Sequence, residues 1–139
     1  MKKLFAIIMT VFSVMIYGQT NNIHQIDKEL QDCLNLNENY TTKGMTDCVN
    51  AATTKWDIEL NKTYEKILGL LTVEQKGKLK SAQRKWIEYR DKEIEFSIQI
   101  YSDKQGTMWI PVSAQTKLDL TRQRTIDLEN YMADLTIGK

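Results

Sequence analysis

Apolar residues recur along the chain at steps of three and four, the spacing that gathers them on one face of an α-helix. In the first such stretch, Ile23, Ile26, Leu30, Cys33 and Leu34 predict a helix over about residues 22–36. Residues 35–40 are polar, rich in Asn and unpatterned, and read as a connection. Thr41 or Thr42 then suits an N-cap, because its hydroxyl can accept an orphan backbone N–H. The second helix carries Met45, Val49, Ala52, Trp56, Leu60, Tyr64, Ile67 and Leu71 on one face and ends near Leu71. Thr72-Val73-Glu74-Gln75 fits a capping box opening a third helix. Leu79, Ala82, Trp86, Tyr89, Phe96 and Ile100 form its stripe, with Glu93 standing where an apolar residue is expected. The stripe fades after Tyr101. Residues 102–113 hold Gly106 and the only proline, Pro111, and predict the one substantial loop. A last helix over about residues 113–135 presents Leu118, Thr121, Arg124, Leu128, Tyr131 and Leu135. The expectation is an all-α fold, a small antiparallel bundle of about four helices.

Composition narrows what such a bundle does. The 139 residues are 42% hydrophobic and 27% charged, ordinary for a folded chain, and Gly 6 and Pro 1 are too few for a turn-rich all-β protein. A formal charge of +1 removes the electrostatic case for nucleic acid. One His and two distant Cys argue against a dedicated zinc or iron–sulfur site, and no cofactor is expected.

The N-terminus reads as an address. Lys2 and Lys3 precede an apolar run over residues 4–17, with Gly18 at a plausible cut. That is the layout of a signal peptide over residues 1–18, leaving 19–139 as a single helical domain; an uncleaved anchor is the alternative. No Cys follows the run closely enough for a lipid anchor, so a periplasmic or secreted protein is expected, with no membrane span after removal of the signal. Its net charge would be −1. In an oxidising compartment Cys33 and Cys48 default to a disulfide, with free thiols as the alternative. The bridge would staple the first two helices as a hairpin and stabilise it by roughly 3 kcal/mol.

No residues suggest catalysis. The only His, His24, reads as a solvated helix residue near the N-terminus, and no phosphate loop or metalloprotease signature occurs. An enzyme is not expected. Charged residues on apolar stripes are costly to bury unpaired, so Asp57, Glu59, Arg90, Glu93, Thr121 and Arg124 are candidates for an interhelix polar network. Glu93 could face Arg124, and Asp57 or Glu59 could reach Arg90. Trp56 and Trp86 belong to the core stripes. Trp109, beside Met108 and Ile110 in the loop, is either an interface anchor or a cap folded back on the bundle.

Several motifs fall in a fixed order. They begin with Cys33…Thr42-x-x-Met45-x-x-Cys48 and Trp56-Asp57-x-Glu59-Leu60-Asn61-x-x-Tyr64. Leu79-x-x-Ala82-Gln83-x-x-Trp86-x-x-x-Arg90-Asp91 follows, then Gly106-Thr107-Met108 and Leu120-Thr121-x-x-Arg124-x-x-x-Leu128. From Cys33 to about Tyr131 this resembles the LprI-type lysozyme inhibitor family. The resemblance implies a small exported helical protein that binds lysozyme and blocks its cleft. It also implies a second cysteine pair in many members, at the places held here by Ile94 and Thr116. Lysozyme cuts glycosidic bonds with two carboxyl groups in a cleft. Ser102, Lys104, Gln105, Thr107 and Trp109 are therefore the candidate partner-binding residues, on the best available loop. The alternative is an envelope interaction or scaffold module that uses its helical faces and has no lysozyme target.

Overall fold

The computed structural model describes residues 23–137. The expected signal peptide, residues 1–18, lies outside the described residues. Helices α1 (Gln25–Leu34), α2 (Thr42–Leu70), α3 (Val73–Ser102) and α4 (Trp109–Thr136) follow one another, with a single 3-10 turn, Asn37–Asn39, between α1 and α2. The all-α expectation holds.

The helix starts show local chemistry at work. Thr41 Oγ1 accepts from the Gly44 N–H at 2.9 Å and caps α2. Thr72 and Gln75 satisfy each other's backbone donors as a complete capping box before α3. At α1 the cap is His24, whose Nδ1 accepts from the Ile26 N–H at 3.2 Å. His24 is thus half-buried and engaged, not the solvated residue expected, and α1 begins at Gln25 rather than 22.

The larger correction is at α4, which begins at Trp109 rather than 113. Pro111 marked this stretch as loop, yet it occupies the third position of the helix. Backbone N–H groups in a first turn have no intrahelical partner, so proline loses nothing there. The loop shrinks to residues 103–108, and Ser102 and Trp109 become helix ends.

Successive helices run antiparallel, which makes α2 and α4 parallel, and these two share the largest interface. Val49, Ala52 and Trp56 meet Leu118 near the starts of the pair, with Ile26 and Leu30 of α1 covering them. Leu60 and Ile67 meet Leu128 further along, with Leu79 and Trp86 of α3 against that cluster. Thr53, Thr63, Thr121 and Thr125 are buried. Thr53, Thr121 and Thr125 donate to the carbonyls of Val49, Lys117 and Thr121, each four residues back at 2.8–2.9 Å. A threonine hydroxyl spent this way on its own helix can sit in an apolar interface. That is why Thr121 interrupts the stripe, and it is the structural reason it joins no interhelix network. Against α4, α3 buries only Ser97, leaving Tyr89, Phe96, Ile98 and Ile100 exposed.

Candidate functional site

Two connections meet at one end of the bundle, and the disulfide organises the first. Cys33 near the end of α1 is bonded to Cys48 in α2 across a Cα–Cα distance of 5.8 Å. Asn39 locks the intervening turn: its Nδ2 donates to the Cys33 carbonyl at 2.8 Å and lies 3.4–3.5 Å from both sulfurs. The turn presses so closely on α2 that a Cβ on Gly44 would stand 2.6 Å from Asn39 Cα. Only glycine fits there.

The second connection, residues 103–108, is a tight turn with Gly106 in the left-handed region at φ +91°. Trp109 folds back across it. Its ring stacks on Tyr101 with centroids 5.5 Å apart, and its Nε1 donates to the Gln105 carbonyl at 3.0 Å. The Lys104 ammonium sits 5.0 Å from the same ring. Ser102 donates to the Gln99 carbonyl at 3.0 Å. The Thr107 and Thr42 hydroxyls are hydrogen-bonded at 2.8 Å, tying this turn to the start of α2. The five candidates thus lie together, four of them spending polar groups on holding the turn and Gln105 keeping its side chain exposed. On these two connections Leu36, Tyr40 and Met108 are exposed, the last two at 65% and 64%. Sequence reasoning missed Tyr40 and Leu36, because a polar Asn-rich stretch hid them.

The polar network forms around residues other than those expected. Arg90 turns to its neighbour Asp91, at 2.8 Å, and lies 5.2 Å from the Trp86 ring. Arg124 donates to Gln83 Oε1 at 2.9 Å and lies 6.0 Å from the same ring. Glu59 instead pairs with Lys62, and Asp57 accepts from Asn61, each on its own helix. Neither Glu93 nor Asp57 or Glu59 is the arginines' partner, because an aromatic face between α3 and α4 receives both guanidiniums. The interhelix charge cluster is centred on Asp27. Its carboxylate accepts from Trp56 Nε1 at 3.1 Å and from Arg122 Nε at 2.7 Å, linking α1, α2 and α4. His24 lies tilted against Trp56 with ring centroids 4.3 Å apart and 35° between the planes, and Arg122 covers the same ring at 5.7 Å. The legible signal was the indole N–H, since a fully buried Trp needs an acceptor. Nearby, hydrogen bonds from Lys55 and then Gln25 hold the Glu29 carboxyl below its ordinary range.

A family model described as lysozyme inhibitor LprI matches residues 33–128. The chain belongs to the LprI lysozyme inhibitor family. The matched region opens at the first half-cystine and takes in both connections at the disulfide end. No curated protein matches the chain. Among solved structures, an uncharacterized protein from Burkholderia thailandensis is similar, with a TM-score of 0.75 at 24% identity. The alignment covers 82% of this chain and 56% of that one, so this chain spans little more than half the length of its structural relative. That likeness concerns the fold. In this LprI-family chain the expected second-cysteine positions, Ile94 and Thr116, line different grooves, the first between α2 and α3 and the second beside Met45 and Met108. The described residues contain no helix long and apolar enough to cross a membrane.

Proposed function

We propose that this protein is exported by residues 1–18 to the periplasm or exterior and there inhibits lysozyme by seating its disulfide end over the enzyme's cleft. It acts by binding, without chemistry of its own. The observation that carries the reading is the Thr42–Thr107 hydrogen bond, which unites the 103–108 turn and the α1–α2 connection into one surface. A surface already ordered before contact loses little conformational freedom on binding. Tyr40 and Met108 supply exposed anchors of the kind that dominate interfaces, while Lys104 and Gln105 offer donors to the paired carboxyl groups of a glycosidase cleft.

The test is a bacterial lysis assay with the purified protein, its Tyr40→Ala form and its Lys104→Glu form. Inhibition by the wild type that weakens about tenfold or more in either variant is expected. Equal inhibition by all three moves the site elsewhere on the bundle, and no inhibition by the wild type ends the lysozyme reading. A second reading, an envelope scaffold module, is favoured by one observation, the exposed apolar side chains of α3. Capture of one endogenous envelope protein, lost on Phe96→Asp, together with absent inhibition, would select it.

A further inference from the structure

The contact of α3 with α4 leaves a groove of about 450 Å³ between α2 and α3, floored by the first turns of α4. Ile94 and Ile98 form one wall and Trp109 and Ile110 continue it, with Ile98 and Ile110 still 53% and 55% exposed. Among the described residues, the charged ones lining it are Lys104 and Lys117, and neither forms an ion pair with another described residue. No carboxylate among the described residues lines it.

We propose that this groove binds a fatty acid, a single acyl chain with an anionic head, the chain lying on Ile94, Ile98 and Ile110 and the carboxylate meeting Lys104 or Lys117. The volume falls in the range of small-molecule sites, roughly 300–1,000 Å³. An apolar trough whose lining charges are all of one sign selects for an amphiphile of the opposite sign, by desolvating the chain and pairing the head. The same two ammonium groups disfavour a cationic occupant, including any basic protein segment. The groove shares Lys104 and Trp109 with the turn assigned above to lysozyme, but its test contains no enzyme, so the two readings fail separately.

Isothermal titration calorimetry of the purified protein with decanoate, kept below its micelle concentration, tests the groove directly. Saturable one-to-one binding is expected, with decylamine about tenfold weaker or worse, since its head meets like charge. Ile98→Glu, at an exposed position, should weaken decanoate binding by about tenfold or more while leaving the melting temperature unchanged. Changing Lys104 and Lys117 together to Ala should weaken decanoate but leave decanol, the neutral analogue, unaffected. No decanoate binding, equal binding of decylamine, or undiminished binding by the folded Ile98→Glu form would each overturn the proposal.

Discussion

Gly44 and Asp27 carry more of this structure than their exposure suggests. A methyl group on Gly44 would collide with the backbone of the Asn39 turn, which has no flexible end to yield. Gly44→Ala should therefore lower stability by about 1–3 kcal/mol, the range for forced overpacking, despite raising helix propensity. Thermal denaturation checks this, and an unchanged midpoint would mean the turn is not fixed against α2. Asp27→Ala should cost about 2 kcal/mol, since it strands the Trp56 indole N–H and the Arg122 guanidinium at once. Arg124→Leu should cost less, because its partner is the neutral Gln83 and no carboxylate is left unpaired. The reverse order of the two midpoints would place the network back at Arg124. Residues of this kind were the least legible in the sequence. Asp27 sits in a run of charges that resembles a solvated face, and nothing local in Gly44 announces the backbone pressed against it.

At the scale of the element, hydrophobic spacing and caps located the helices well, and the misses have specific causes. The capping box at Thr72 is local chemistry and came through intact. Pro111 misled because its lack of an N–H is equally compatible with a loop and with a helix's first turn. At ten residues, α1 is too short to persist alone, so it depends on the staple to Cys48, on Asp27 and on the apolar cover it shares with α2 and α4. Replacing Cys33 and Cys48 together by Ser should lower stability by roughly 3 kcal/mol. Far-UV circular dichroism should retain most of its helical signal, because α2, α3 and α4 hold their own interfaces. Loss of nearly all helix in the folded baseline would instead make the hairpin the nucleus of the whole bundle.

Across the whole molecule, three helices of about 45 Å form a rod whose one end is closed by covalent and hydrogen-bonded joints. The apolar stripes implied such a bundle, and the cysteines implied which end would be tied. That the 103–108 turn arrives at the same end follows from one reversal, at Leu71–Thr72, between two helices of near-equal length, α2 with 29 residues and α3 with 30. The pairing of Thr42 with Thr107 could not be read from sequence, because the two residues are 65 positions apart. If residues 1–18 are removed, as proposed, the net charge is −1, and long-range steering toward a partner is weak. Inhibition should accordingly change little between low salt and about 0.15 M, where the Debye length is about 8 Å. A steep loss over that range would assign recognition to charge rather than to the exposed side chains of Tyr40 and Met108. The most direct examination of that surface is hydrogen–deuterium exchange of the protein with and without lysozyme. The account predicts new protection confined to residues 36–42 and 103–109; protection along α3 with those segments unchanged would contradict it.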